Sequence, residues 1–548
     1  MSPTEGGQRS AARDMQDAHA AWSASDAFLL LLMIAVATIQ LAVRFQFTAH
    51  PAEDAAILLR YAIHVAHAQG IVWNVGEPPS DGATDFLFMM AVAGLVKAGV
   101  GAEAAARALG IGAHLLTLVV IFAASRRWLG ASRWAALVSV LYLALGPGLA
   151  YAEACFGTPV FTLFTCLAAA ILFHQAIAGE TLAGAAGFAV AALAGALVRP
   201  EGVFLAALLA ASLVLYRGWH ASRLTLTCFL VLFAAAGGLF LAWRWRYFGH
   251  LLPTPFLKKG AFHLHPEGLE SSLQNGVLLC LPFLPAFVTG LRSRPAARLA
   301  LLFAVPAGGF LALWVLLSGE MNVLMRFQYP VLPLVLLAWP CLIAGIGERW
   351  LCLSSQSLTA GDRRAQAALL ALYAIGTIGY GSRLYRHQAD VADGRYAVAV
   401  ELSRFRDEGY TLATSEAGLL PLYSGWRSID TWGLNDVRLA RHALTSLDLA
   451  REQPAVIMFH AYFSPASTIA GAGDWFHMTN TLRRYAEERH YILAACYGTS
   501  PYETHYYYVR PDLPDAAAIV RAIRVERYAW LGSSLAAVDF SHLERAAP

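Results

Sequence analysis

The feature that most restricts what this chain can fold into is its recurrent apolar runs, each close to twenty residues long. A hydrocarbon layer of about 30 Å is crossed by roughly 20 residues of α-helix. Such runs cover 26–44, 104–125, 134–150, 159–178, 182–199, 201–216, 224–243, 273–291, 298–318, 327–346 and 365–383. Eleven spans are therefore expected. A further stretch, 84–99, is short and contains Lys97, so it reads as a short helix lying at the membrane surface.

Composition points the same way. The chain is 57% apolar and only 14% charged, against about 25% charged for an ordinary soluble domain. Its mean hydropathy is +0.51. Acidic residues are unevenly placed, with 19 of the 37 in 385–548 and 15 in 26–384. The fold class expected is an all-α polytopic membrane protein with a C-terminal soluble α/β domain. The divisions expected are 1–25 as a cytoplasmic segment, 26–384 as the membrane block and 385–548 as the water-facing domain. A net charge of +3 is too mild to call for nucleic acid. The seven cysteines are scattered and form no metal or disulfide framework, and no cleavage site follows the first apolar run.

Lys and Arg favour cytoplasmic loops. Four arginine-rich loops, around Arg126–Arg133, Arg217–Arg223, Arg292–Arg298 and Arg349–Arg364, fall on one side if 84–99 does not cross. That parity places the N-terminus inside and residues 385–548 outside, as in a multi-pass protein of the bacterial inner membrane. The first outer loop then spans 45–83. Glu53–Gln69 within it has apolar residues at helical spacing and reads as an amphipathic helix resting on the outer leaflet. In the tail, Thr411–Thr414, Ala455–Phe459, Tyr491–Cys496 and Thr504–Val509 read as strands. Leu439–Leu449, Thr479–Arg489 and Ala516–Arg524 read as helices.

Chemistry-bearing residues concentrate on the outer side. Glu53 and Asp54 open the loop helix about 100° apart, so one carboxylate can face a cavity while the other faces water or the helix dipole. Partial desolvation would raise Asp54 toward neutrality and suit it to act as a base. The plainer alternative is an acid at a helix N-terminus. Arg199, Arg244, Arg246, Lys258, Lys259 and Arg326 lie against the positive-inside trend. Arg199 and Arg326 abut apolar runs, where charge is costly unless paired. A lipid phosphate would offset that cost; so would pairing of Arg199 with Glu201 and of Arg326 with Glu320. Arg60 joins Arg199, Lys258, Lys259 and Arg326 in the expected phosphate set. His64 and His67 are three apart, but no third metal ligand lies near them.

Several motifs in chain order resemble the GT-C membrane glycosyltransferases, in particular the mycobacterial terminal β-(1→2)-arabinofuranosyltransferase family. They are Glu53-Asp54-Ala55-Ala56-Ile57 with Arg60-Tyr61, and Gly70-Ile71-Val72-Trp73-Asn74-Val75-Gly76-Glu77-Pro78. Arg199-Pro200-Glu201-Gly202, Tyr247-Phe248-Gly249 with Leu251-Leu252-Pro253 and Lys258, and Arg326-Phe327 before Pro330 and Pro333 follow. Ala413-Thr414 through Ala417-Gly418, Ile429-Asp430 and Gly433-Leu434-Asn435-Asp436 complete the series.

The resemblance implies a GT-C-like fold and an inverting transferase. Its donor would be a polyprenyl-phosphate sugar, possibly arabinofuranose, and its acceptor an envelope glycan or glycolipid, with membrane lipid around it. It places the catalytic base on Asp54, with Glu53 where relatives have a second Asp. Glu153, Glu201, Tyr247, His250, Glu320, Asn435 and Asp436 are the substrate-binding residues expected. A Gly-Leu-Glu-Thr-Pro pattern of relatives stands here as Cys155-Phe156-Gly157-Thr158-Pro159, without its acid, and Glu153 is the nearest substitute. No cofactor is required; some relatives use a divalent cation, although no dedicated ligand cluster is visible here. A lipid-linked glycan transporter or flippase would share the spans and charges but usually shows repeats. An oligosaccharide ligase would share the chemistry but not the first-loop acids.

Overall fold

The computed structural model describes residues 24–260, 264–290, 294–317, 319, 321–350, 360–384, 394–463, 473–500 and 503–524. Among these, eight helices are long and apolar enough to cross a membrane: Ala24–Arg44, Ala102–Arg127, Arg133–Glu153, Thr158–Ala178, His220–Phe248, Pro266–Val288, Ala297–Val315 and Val323–Leu342. Leu182–Val198 and Gly202–Arg217 are shorter apolar helices. Together these ten account for ten of the expected runs, and the eleventh lies within a helix over Ala360–Leu384. The fold is the polytopic helical one expected, with a C-terminal α/β part. On His220–Phe248, leucines such as Leu230, Leu239 and Leu241 are exposed, as on a helix covered by lipid. Asp26, at the start of the first helix, meets Arg126 and Arg133 at 3.1 Å each, which ties that end to an arginine-rich turn.

The loop helix does form, over Glu53–Ala66, but it does not rest on a leaflet. Ten of its fourteen residues are buried, Arg60 and Tyr61 among them. One side packs on Phe86–Lys97 and Ala102–Arg127, and the other on Leu419–Ser424 of the C-terminal part. Amphipathic spacing records only that one face is polar. It does not distinguish water from the polar face of another domain. Phe86–Lys97 likewise buries Phe88, Met89, Val92 and Ala93 against protein. A continuous apolar core runs from Met33 and Ala37 through the loop helix to Ala417.

The C-terminal sheet has five strands: β1 Thr411–Thr414, β2 Arg427–Asp430, β3 Val456–Ala461, β4 Ile492–Ser500 and β5 Glu503–Val509. Their order is β2-β1-β3-β5-β4. β1 is parallel to β2 and β3, whereas β5 is antiparallel to β3 and β4. Helices cover both faces, which explains why β3 is nearly all apolar. Leu412, Val456 and Met458 pack with Val398, Ile519 and Val520 on one face. Ala413, Ile457 and Phe459 pack with Leu449, Met478 and Leu482 on the other.

All four expected strands are present. β2 is a fifth, and its four residues with an uneven burial pattern carry too little sequence signal. The helix expected over Leu439–Leu449 is instead two, Val437–Arg441 and Ser446–Glu452. Thr445 and Asp448 form a capping box that starts the second.

Candidate functional site

Helix ends build the site. Leu182–Val198 stops at Arg199 because Pro200 disfavours helical geometry in the residue before it, and Arg199 is extended (φ −138°, ψ 134°). The turn Arg199–Glu201 therefore projects from the bundle end beside the start of Glu53–Ala66. Between them opens a cavity of about 190 Å³, lined by Asp54, Asp85, Arg199, Glu201, Lys259 and Arg326. Its apolar wall includes Ile57, Leu58, Phe156, Phe256, Trp314 and Phe327. Leu434, from the C-terminal part, also reaches it.

Asp54 accepts a hydrogen bond from Arg326 Nη2 at 2.5 Å. About a quarter of its side chain stays accessible (26%), whereas Arg326 is buried. The Arg326 guanidinium lies 4.0 Å from the Phe156 ring centre and 4.9 Å from that of Phe327. Its Nε is buried without a hydrogen-bond partner. Arg199 pairs with Glu201 at 2.8 Å and more loosely with Asp85 at 3.9 Å. Burial pushes the Asp54 carboxyl up, but Arg326 and Lys259 together more than offset this and hold it below its ordinary value. The expectation of a base raised by desolvation is thus corrected for the unliganded site, because two cations face it.

The structure separates Glu53 from Asp54. Glu53 turns away from the cavity and accepts the backbone N–H groups of Gly418 and Leu419. Arg395 reaches it at 3.4 Å and Glu416 at 2.8 Å. Burial, only partly countered by Arg395, raises Glu53 to about 7. Its folded pKa lies above the unfolded one, so the wild type loses stability as pH rises from about 4.5 to about 7. Glu53→Gln keeps the acceptor oxygen and removes that charge. It is expected to melt no lower than wild type at pH 8 and to gain nothing at pH 4.5. A melting temperature below that of wild type at pH 8 would show that the junction needs the charged carboxylate.

Other expected site residues also lie away from the cavity, for reasons of packing. Arg60 is buried against the C-terminal part: it donates to the Trp73 and Trp426 carbonyls (2.9 and 3.0 Å), to Asn74 Oδ1 (3.0 Å) and to the Pro421 carbonyl. With every nitrogen so engaged, it fastens domains rather than meeting a lipid phosphate. Lys258 faces Trp432, 4.1 Å from the ring centre, whereas its neighbour Lys259 lines the cavity. Glu153 accepts the Gln46 N–H at 2.8 Å. Tyr247 accepts the Ile71 N–H at 3.1 Å. His250 Nδ1 bonds the Leu252 carbonyl.

Asn435 is held by Asp430 and by the Tyr61 hydroxyl. A Cβ on Gly82 would collide with its Oδ1, so it sits just behind the cavity wall. Asp436 caps Val437–Arg441. Glu320 lies outside the described residues. His64 bonds the Val72 carbonyl and His67 that of Ile63. Among the described residues no three His, Cys, Asp or Glu gather as metal ligands. Around the cavity Asp54 and Glu201 are each turned to an arginine, so these residues do not form a cation cage.

Sequence reasoning missed Asp85, together with the aromatic collar of Phe156, Trp314 and Phe327. Asp85 was detectable as an acid directly ahead of an apolar helix, but in that position it reads as an ordinary cap.

Comparisons with known proteins bear on the fold. Residues 384–509 match a family described as a domain of unknown function (DUF8728). No curated protein matches the chain. Among solved structures, ArnT from Cupriavidus metallidurans bound to undecaprenyl phosphate is similar with a TM-score of 0.56 at 15% identity, covering 87% of this chain and 97% of ArnT. The archaeal oligosaccharyltransferase AglB from Archaeoglobus fulgidus, in complex with an inhibitory peptide and a dolichol-phosphate, gives 0.51 at 11% identity over 89% of this chain and 75% of AglB. The arabinofuranosyltransferase AftD from Mycobacteria gives 0.48 at 14% identity over 91% and 41%, too weak to bear on the sugar. At these identities the likeness to ArnT and AglB establishes a shared polytopic membrane fold.

Proposed function

We propose that this chain is an inverting membrane glycosyltransferase of the GT-C type that moves a sugar from a polyprenyl-phosphate donor to an envelope glycan. The observation that carries the reading is one cavity in which Asp54 faces Arg199, Lys259 and Arg326 beside an aromatic wall. Two structures of the same fold hold a lipid phosphate, undecaprenyl phosphate in ArnT and a dolichol-phosphate in AglB. Leu434 of the C-terminal part lines the cavity, which supports reading the site and that domain as sharing the outer face of a bacterial inner membrane. An arabinofuranosyl donor is the one the first-loop resemblance favours.

The donor phosphate displaces the Asp54 carboxylate from Arg326, whose Nε lacks a partner, and is also held by Lys259 and Arg199. Arginine supplies a bidentate fork and lysine a point charge. Neutralising these cations removes what holds Asp54 low, so it becomes a stronger base when the donor is in place. Asp54 then takes the proton of an acceptor hydroxyl, and that oxygen attacks the anomeric carbon from the face opposite the phosphate. The carbon–oxygen bond to phosphate breaks with its electron pair. The lipid phosphodiester, with one negative charge, becomes a monoester with two. The three cations stabilise the added charge, so the leaving group needs no general acid, unlike the alcohol lost in glycoside hydrolysis.

The lysine pair tests this. With undecaprenyl phosphate as the probe and the full chain in nanodiscs, Lys259→Ala is expected to weaken binding about tenfold. Lys258→Ala, which removes the contact with Trp432 and leaves the cavity lining unchanged, should change it by less than about threefold. Equal affinities for both variants and wild type would refute the phosphate assignment.

A further inference from the structure

Gly157 precedes the helix Thr158–Ala178 with φ −71° and ψ −2°, a conformation open to any residue. The backbone therefore gives no reason for glycine. Space does: a Cβ at 157 would lie 2.5 Å from Asp85 Oδ2 and 3.1–3.2 Å from the Phe88 ring. The carboxylate of Asp85 fills the volume that a side chain at 157 would take. It enters from a different element, the start of Phe86–Lys97.

Asp85 is itself oddly used. It occupies the N-cap position, where aspartate ordinarily accepts a backbone N–H of the first turn, yet its side chain makes no such bond. It is 8% exposed and lines the cavity. Its side chain accepts a hydrogen bond from Thr84 Oγ1 at 3.2 Å and pairs with Arg199 at a loose 3.9 Å. Burial raises its carboxyl, and Arg199 recovers only part of that. A buried acid that neither caps its helix nor closes tightly on an arginine is a poor stabilising element. Glu153, the substitute expected for the acid absent at 157, is engaged with the Gln46 N–H instead.

We propose that Asp85 is a substrate-orienting carboxylate of this site, accepting hydrogen bonds from hydroxyls of the transferred sugar from the space left by Gly157. The inference rests on the transferase reading above. A phosphate-linked sugar brings the cavity two kinds of polar group. The phosphate suits Arg199, Lys259 and Arg326; the hydroxyls are donors and suit a carboxylate. Asp54 serves the acceptor hydroxyl, which leaves Asp85 for the sugar. Arg199, between Glu201 and Asp85, sets the distance between the sugar-binding acid and the phosphate.

Moving the acid from one wall to the other tests this. The full chain in nanodiscs would be assayed for transfer from a polyprenyl-phosphate sugar and for binding of undecaprenyl phosphate, which carries no sugar. Asp85→Asn and Asp85→Ser are expected to lower kcat/KM at least about 100-fold while phosphate binding and melting temperature hold. Gly157→Glu alone should also lose transfer, because two carboxylates then compete for one space. Combining Asp85→Ser with Gly157→Glu should recover about tenfold or more over Asp85→Ser, since the acid returns from the other side.

Near-wild-type transfer by Asp85→Asn, or no recovery in the double variant, overturns the inference while leaving the transferase reading intact. A melting temperature that falls together with phosphate binding in Asp85→Asn overturns it in favour of a packing role. A wild type that transfers from no polyprenyl-phosphate sugar overturns the reading of the whole site, and this inference with it.

Discussion

Asp54→Asn is expected to lower transfer about a thousandfold, the middle of the range for removing a positioned general base, while donor binding holds or tightens. The split follows from the ion pair. Asparagine matches aspartate in shape but carries no charge, so Arg326, buried between Phe156 and Phe327, loses its counter-charge and gains affinity for a phosphate. A residue with a merely structural role would weaken binding and turnover together.

The pH profile makes a second demand. In the free protein Arg326 and Lys259 hold Asp54 below the ordinary carboxylate value. The acid limb of kcat/KM, which reports the free enzyme, should therefore lie below that value, with activity lost as pH falls through it. The limb of kcat, which reports the donor complex, should lie higher, because the phosphate has taken up the cations. Coincident limbs, or transfer by Asp54→Asn near the wild-type rate, would remove Asp54 from the role of base.

The second large effect is expected at Arg60. Arg60→Met keeps most of the side-chain length but removes four buried hydrogen bonds, to the Trp73, Pro421 and Trp426 carbonyls and to Asn74 Oδ1. A hydrogen bond to a charged group contributes about 1.5–3 kcal/mol, so losing the four is expected to cost about 3 kcal/mol or more. The damage should be local to the junction. The sheet has its own two core clusters, whereas docking draws on bonds across the junction, among them those of Arg60, the Trp73 indole N–H to the Ser428 carbonyl (2.9 Å) and the Ser428 N–H to Asn74 Oδ1 (2.9 Å). Limited proteolysis should separate the C-terminal part from the membrane part more readily than in wild type, at a lower melting temperature. If docking survives and undecaprenyl phosphate binding is lost instead, Arg60 belongs with the phosphate ligands after all.

The contrast between these two residues shows why a motif is a mixed signal. Glu53, Asp54, Arg60, Tyr61, Trp73 and Asn74 all belong to the first-loop motifs. Only Asp54 among them lines the cavity. The rest hold the C-terminal domain: Glu53 through the Gly418 and Leu419 amides, Tyr61 through Asn435, Trp73 and Asn74 through Ser428. A recurring pattern reports that residues are needed together, and a domain junction needs its residues together as much as a catalytic centre does. The same ambiguity covers the Lys pair. Adjacent helical residues diverge by about 100°, and the packing of Thr254–Gly260 against Val437–Arg441 decides that Lys259, not Lys258, enters the cavity.

Read alone, the amino-acid order determined the spans, the α/β tail and the isolated charges Asp54, Arg199 and Arg326, because hydropathy and strand alternation are properties of short windows, and a charge beside hydrocarbon is costly wherever the chain goes. Tertiary structure alone decided that the Glu53–Ala66 helix is enclosed between two domains, that Glu53 and Arg60 are fasteners, and that Asp85 occupies the place of a side chain at 157. Residues 54, 85, 157, 199, 259 and 326 meet through the packing of helices far apart in the chain. No local pattern encodes which way a side chain points once another helix arrives against it.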